Sequence, residues 1–399
     1  MKFWETGETA KTDEFNYEEM KRKFIENLDY LRTMSVEEQT LYKKWMEWNE
    51  DLIGNMKKLP VLQSHYDSLW KPTDIMNKEL TIAEIQAIDP YVEIVDDDAK
   101  QSTRWTEIRR LIHTMEFQAN PGRNVKCYVK DRTSGKILGQ ICLGSDITSL
   151  GVRDAYIGWQ KDDKFKNGKL NCTTIATTIV STQPFGYNFL GGKLVAALIT
   201  TSKTREIWKK LYGEELVGMT TTSLYGSYSM YNSLKWWHKC GSSTGKMTIK
   251  ADDSVYDVWH QWIKDNKSEQ YNKAMTQKEG VNGPVTGAKN RIISMIFQTL
   301  KIKASDYTHG YERGVYYSCF YENTKEFLQN KISEKELKLK ELFKKDVQGV
   351  FDWWKPKAIE RYKKLHSEGN IKSDILFYNK MIGMTYDEAK SKFFDEVGR

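Results

Sequence analysis

The apolar positions along the first ninety residues recur every three or four places. Tyr17, Met20, Phe24, Leu28 and Leu31 form one stripe, and Leu41, Trp45, Trp48, Leu52 and Met56 form a second. That period sets one face of an α-helix against a core. The second stripe follows Ser35-Val-Glu-Glu38, a capping box whose last Glu reaches back to the cap amide. Thr81-Ile-Ala-Glu84 repeats the device before a short helix that Pro90 closes. The Trp residues of this segment are expected in a helix–helix core rather than on a base-stacking surface.

Beyond residue 90 the period switches between two and three-to-four. YVEIV at 91–95 alternates as a strand does, and Trp105, Ile108, Leu111, Ile112 and Met115 share a helix face. VKCYVKD and ILGQICLG flank Thr133-Ser134-Gly135, which predicts a hairpin. After a less regular stretch comes LNCTTIATTIVST, a strand, and then STQPFGYNFLGGKLVAAL, a Gly-rich loop running into an apolar helix. ELVGMTTTSL predicts a strand, MYNSLKWWHKC a short helix ended by Gly241, and GKMTI a last strand. The order is that of a mixed α/β domain with a largely antiparallel front half. Residues 264–290 are polar and expected to link it to a C-terminal part. There an amphipathic helix, RIISMIFQTLK, precedes the aromatic patch THGYERGVYYSCFYEN, and residues 323–366 read as helical. The alternating charges of EKELKLKELFKKD are expected on a solvated helix face. The organisation predicted is an N-terminal helical segment (1–90), an α/β domain (91–263), a linker (264–290) and a C-terminal segment (291–399).

Composition narrows the class. With 39% hydrophobic and 29% charged residues and only 7 prolines in 399 residues, the chain is expected to be a soluble globular protein of two or three domains. Its 5 cysteines are scattered and never in a CxxC pair, which argues against a disulfide framework or structural zinc and for a reducing, cytoplasmic setting. The start, MKFWETGETAKTDEF, lacks the apolar core of a signal peptide, and the longest purely apolar run, LVAALI, is too short for a membrane. A net charge of +7 suits a nucleic-acid partner without requiring one.

The Gly-rich loop poses the main chemical question. Gly186 and Gly191 have the Walker A span, but Gly192 stands where the Lys should be, and Leu194 replaces the hydroxyl after Lys193. The dinucleotide pattern fails too, because Tyr187 and Asn188 follow Gly186. What remains is a strand, a turn with Pro184, and Asn188, Gly191, Gly192 and Lys193 opening a helix. Small residues there either let backbone amides approach an anion or let the helix pack closely on the sheet. This arrangement resembles the GCN5-related acetyltransferases, which hold the coenzyme A pyrophosphate on a Gln/Arg-x-x-Gly-x-Gly/Ala loop after their fourth strand. Here Asn188 takes the Gln/Arg place. The resemblance implies a GCN5-like mixed sheet framed by helical segments and an acyl-coenzyme A-like donor.

Two segments, TQPFGYNFLGGKLVAAL and GMTTTSLYGSYSMYNSLKWWHKCGSSTGK, carry a second resemblance, together with LGQICLGSDITSLGVRDAYIGW and HGYERGVYYSCFYENT. Over about residues 120–325 the chain resembles the family of the Druantia anti-phage protein DruA, which has relatives in phages. It is also similar, more distantly, to the phage Mom proteins, GCN5-like enzymes that modify adenine in DNA. A Tyr near the fifth strand of such enzymes donates a proton to the departing thiolate, a role that a phenol with pKa near ~10 can fill. The resemblance gives that role to Tyr225 or Tyr231, with Ser223 orienting a substrate or carrying an acyl group; an ordinary strand-to-helix turn is the alternative. Within GVRDAYIGW, Arg153 either grips a phosphate while Trp159 or Tyr156 stacks on a base, or pairs with Asp154 beside a buried Trp. His309 is a candidate general base and Arg313 a candidate phosphate clamp. His113 is expected to be a satisfied semi-buried residue, the acidic run at 96–98 a solvated loop, and no spacing of His or Cys writes a metal site. Three functions are compatible: a transferase acting on a DNA base, a DNA-binding module without catalysis, and an acyltransferase for protein or a small amine.

Overall fold

The computed structural model describes residues 16–95, 98–118, 122–224, 229–243, 247–276, 287–309, 312–373 and 377–397. Its contacts divide the chain into two units, residues 1–36 with 246–310 and residues 37–245 with 311–399. Among the described residues no helix is long and apolar enough to cross a membrane.

In the first unit the helix Tyr17–Arg32 buries Phe24, Leu28 and Leu31, three members of the first stripe. Phe24 meets Trp259 and Phe297 edge-on, at 6.4 and 6.1 Å, from the helices Asp253–Asn266 and Ala288–Leu300. Asn27 grips Asp252 at both ends: its Nδ2 donates to the carboxylate (2.7 Å) and its Oδ1 accepts the backbone amide (3.0 Å). A further helix, Ser268–Met275, lies inside the stretch expected to be a linker, while 277–286 fall outside the described residues. The expected strand GKMTI reduces to Met247–Thr248, paired antiparallel with Thr308–His309.

The second unit is an α/β fold with a seven-stranded mixed sheet. Its strands are β1 (Pro90–Ile94), β2 (Asn124–Asp131), β3 (Ile137–Ser145), β4 (Thr173–Ser181), β5 (Gly218–Ser223), β6 (His238–Ser243) and β7 (Arg313–Cys319). The spatial order is β1-β2-β3-β4-β5-β7-β6, antiparallel throughout except for β4 beside β5. Both faces are covered, as the alternation along β2 records. Val125, Cys127 and Val129 join one core with Phe185, Phe189 and the 194–199 apolar run. Tyr128, between them, joins a core on the other side with Trp105, Ile108, Leu41 and Trp48. Helix α1 (Ala99–Ile112) supplies Trp105, Ile108, Leu111 and Ile112 as the periodicity predicts, although Met115 lies past its end.

Four expectations are corrected. The stripe from Leu41 to Met56 is not one helix but two, Val36–Asn49 and Leu52–Tyr66, the second capped by Asp51. Thr81 opens no helix: Asn77 caps Lys78–Gln86, and the Thr81 hydroxyl donates inward to the Asp74 carbonyl. MYNSLKWWHKC is a single 3₁₀ turn, Met230–Ser233, leading into β6. EKELKLKELFKKD forms two short 3₁₀ turns, Glu334–Glu336 and Glu341–Lys344, around an isolated bridge from Leu339 to Tyr321.

Candidate functional site

The parallel ladder between β4 and β5 lasts for three pairs, Thr173–Gly218, Thr174–Met219 and Ile175–Thr220. Past it the hydroxyl of Thr221 reaches the Ala176 carbonyl (3.1 Å), and from there β4 continues to Ser181 with no strand paired on that side among the described residues. The β3–β4 register slips at this height, leaving Thr177 as an extra residue between the Leu143 and Cys142 pairs. Such bulges bend a strand and re-aim its side chains. The sheet therefore opens where the Gly-rich loop leaves β4.

That loop is two helices joined at a corner. Helix α2 (Phe185–Phe189) follows the cis peptide Gln183–Pro184, and helix α3 (Gly191–Leu198) follows Leu190, whose φ of 56° makes the turn. The Leu190 carbonyl is shared by the Lys193 amide (3.0 Å) and the indole Nε1 of Trp354 (3.0 Å). Trp354 belongs to helix α4 (Val347–Ser367), which lies along α2 and α3: Trp354 meets Phe185 at 5.3 Å and Tyr362 meets Phe189 at 5.3 Å.

The four residues singled out in this loop have different environments. Asn188 is fully buried and spans the backbone of Lys372, donating to its carbonyl (2.8 Å) and accepting its amide (3.0 Å). Gly191 abuts Phe185, whose ring carbon lies 2.3 Å from where a Cβ would stand. Gly192 faces the open side of the sheet, with Met230 Sδ 3.1 Å and Ser181 Oγ 3.9 Å from its would-be Cβ. Lys193 is partly buried; burial, then repulsion from Arg361 and Lys357 of α4, lowers its amine below the ordinary value. The two α4 cations carry no local sequence signal, being ordinary basic residues of a Lys-rich helix.

The candidates for proton handling lie across the opening. Ser223 ends β5 and is buried. Tyr231 is buried against Trp237 (5.3 Å) and Tyr316 (5.1 Å); burial raises its phenol, against a hydrogen bond with Thr221. Tyr225 lies outside the described residues.

Arg153 has 0% exposure. Its Nη1 donates to Asp146 (2.7 Å), its Nε and Nη2 to Asp154 (3.0 and 2.7 Å), and its Nη2 also to the Ile147 carbonyl (2.7 Å). Burial raises the Asp146 carboxyl against the pull of Arg153 and of hydroxyls from Thr173 and Thr220. Burial opposes the Arg153 charge as well, but Asp146 and Asp154 hold its pKa above the ordinary guanidinium value. Trp159 is buried beneath this pair, with the guanidinium 5.3 Å from its ring. Arg313 opens β7, where its amide donates to Ser243 Oγ (3.3 Å). His309 is in the other unit, its backbone paired with Met247. The structure thus gathers Gly192, Lys193, Met230 and Ser181 at the sheet opening, and Arg153, Asp154 and Trp159 in a separate buried network. Among the described residues no cluster of His, Cys, Asp and Glu is arranged to hold a metal.

Comparison with known proteins gives one curated relative, the Druantia protein DruA of Escherichia coli (strain UMEA 4076-1). It is 26% identical over 267 residues, 63% of this chain and 64% of the relative, so the chain spans a little under two thirds of that protein's length. No solved structure matches the chain. The family described as Druantia protein DruA matches residues 52–330, which takes in all seven strands and both helices of the Gly-rich loop. By that match, which extends over more than half of its residues, the chain belongs to the DruA family.

Proposed function

We propose that the chain is a GCN5-like transferase that modifies a DNA base, with a donor of the acyl-coenzyme A kind held by its phosphates at the start of α3. One observation carries this reading: the sole parallel ladder among the described residues of the sheet ends after three pairs, and a Gly-Gly helix start stands beside the opening. Unpaired amides of a first helical turn, with the helix dipole behind them, attract phosphate oxygens. Gly192 and Lys193 then contact the donor, while Gly191 and Asn188 hold the loop in shape. The mixed sheet with helices on both faces supports this GCN5-like reading. A DNA acceptor is supported by the similarity to Mom proteins and by the +7 net charge. A base inside a duplex must be flipped out before transfer. Proton transfer falls to Tyr225, since Tyr231 is closed off by Trp237 and Tyr316. Arg313 remains the proposed clamp on the polynucleotide and His309 a proposed base; Arg153 serves its own carboxylates.

The test is mass spectrometry of nucleosides from the DNA of cells expressing the protein, its Tyr225→Phe variant and its Lys193→Met variant. A new nucleoside mass in the wild type that fades in both variants is expected. The burial of Ser223 and Tyr231 favours a second reading, a DNA-binding module without catalysis. In that case every nucleoside keeps its mass while DNA binding weakens steeply with salt.

A further inference from the structure

Taking the start of α3 as the donor's phosphate site, as proposed above, we infer that helix α4 completes it: Lys193, Lys357 and Arg361 together hold the donor's pyrophosphate group. Lys357 and Arg361 lie beyond residues 52–330, so the family match does not reach them.

The placement follows from how α4 is docked. Its buried row, Val350, Phe351, Trp354, Ala358, Tyr362 and Leu365, fixes the rotation of the helix against α2 and α3. Lys357 and Arg361, four residues apart, then project side by side from the flank of that row. The Arg361 guanidinium sits 5.2 Å from the ring of Tyr187 in α2, which holds it in place. Its Nε is buried and has no acceptor among the described residues. A buried charged donor without an acceptor is costly. Nor do Lys193, Lys357 or Arg361 form an ion pair with any carboxylate among the described residues.

Three cations brought together without a counter-ion repel one another; burial first, and that repulsion second, lowers the amine of Lys193. An anion among them offsets that repulsion. It accepts from the orphaned Nε, favours the charged amine of Lys193 and meets the positive end of α3. The cations converge from two helices instead of following a line, which suits a compact, multiply charged group better than the spaced phosphates of a duplex.

Isothermal titration of the full chain with inorganic pyrophosphate tests this. Wild type is expected to bind, and Lys357→Met and Arg361→Met each to weaken binding about tenfold, the loss typical of one charge-assisted hydrogen bond. Lys345→Met, at a position that precedes α4, should bind as wild type does. Lys357 is exposed, so its variant should keep the wild-type melting temperature and separate binding from folding. Equal affinities in all variants, or no binding by the wild type, would overturn the inference. A Lys357→Met protein that loses affinity for a short DNA duplex but not for pyrophosphate would overturn it too, assigning the cations to the polynucleotide. The transferase reading is judged separately: a new nucleoside with a flat pyrophosphate titration removes only the α4 site. The titration as expected, with no new nucleoside, removes only the transferase.

Discussion

Asn188 occupies the place that sequence resemblance gives to a cofactor-binding Gln or Arg, yet both ends of its amide are committed to the backbone of Lys372. Replacing it with Ala removes the donor to the Lys372 carbonyl, the acceptor of the Lys372 amide, and a longer contact to the Pro184 carbonyl (3.3 Å). Each neutral hydrogen bond is worth about 1 kcal/mol net, with about 1–3 kcal/mol more where a buried partner is left unsatisfied. Lys372 is only half-buried, so water recovers part of this, and the cost comes to about 2–4 kcal/mol. It is felt first as release of the segment around Lys372 from α2. In local-opening terms that is an increase of about thirty- to several-hundredfold in the open population. Limited trypsin digestion reads it directly, because Lys372 is itself a cleavage site. Asn188→Ala should be cut there far faster than wild type and should lose urea resistance. Asn188→Asp places a carboxylate against the Lys372 carbonyl and should be at least as damaging at neutral pH. Burial raises the pKa of the carboxyl so introduced, so its stability should recover as pH falls and the acid regains a donor. Unchanged cleavage and urea midpoint in Asn188→Ala, with pyrophosphate binding lost, would refute the latch and return Asn188 to the ligand.

Arg153→Met leaves the buried carboxylate of Asp146 without its cation, while Asp154 keeps Lys164, and should cost about 3–5 kcal/mol, seen as a lowered melting temperature. Its DNA affinity, measured under conditions where it stays folded, should match wild type. Tyr231→Phe loses one buried hydroxyl, about 1 kcal/mol in urea unfolding, and should leave any nucleoside product intact; loss of product at normal stability would place the phenol in the chemistry. Lys44 is fully buried, and burial, with repulsion from Arg109 and Arg110, outweighs Glu47 and lowers its amine from 10.5 to about 8. The unfolded chain therefore holds this proton between pH 8 and 10.5 while the folded chain does not, so stability should rise across that window in wild type and rise less in Lys44→Met.

What could be read from the sequence was set by one-sided burial and by local turns. Strand β1 and helix α1 carry clean periods, and β2 and β3 are marked by the short turn between them, although β3 is buried on both faces. Strand β7 was legible only as an aromatic patch. It is buried from Gly314 to Cys319 on both faces, so no alternation marks it, and its neighbours β5 and β6 lie about seventy residues or more upstream. Strand β6, HKCGSS, has almost no apolar residues to announce a strand, and the Leu and two Trp before it lent the stretch a helical period. The Lys- and Glu-rich run at 334–346 shows the opposite error. Its composition favours a helix, but the capping box from Ser333 to Glu336 closes one 3₁₀ turn, and the bridge from Leu339 to Tyr321 holds the chain extended.

The pair Gly191-Gly192 shows why the site was harder to read than the fold. In sequence the two glycines are indistinguishable, and either packing or anion binding explains both. In space the first is a packing residue: the Phe185 ring fills the volume a methyl group would need, so Gly191 is required with or without a ligand. The second borders only the flexible end of Met230 and the hydroxyl of Ser181, and no rigid group demands that it be small. A methyl group at Gly192 should therefore be tolerated by folding, with Met230 shifting, and felt by whatever approaches the start of α3. Packing accounts for Gly191, and the anion-binding proposal is left to Gly192. The cations that act on the neighbouring Lys193 come from α4, more than 160 residues later, where the docking of a buried row, with Trp354 on the Leu190 carbonyl, decides which lysine or arginine of the helix faces Lys193.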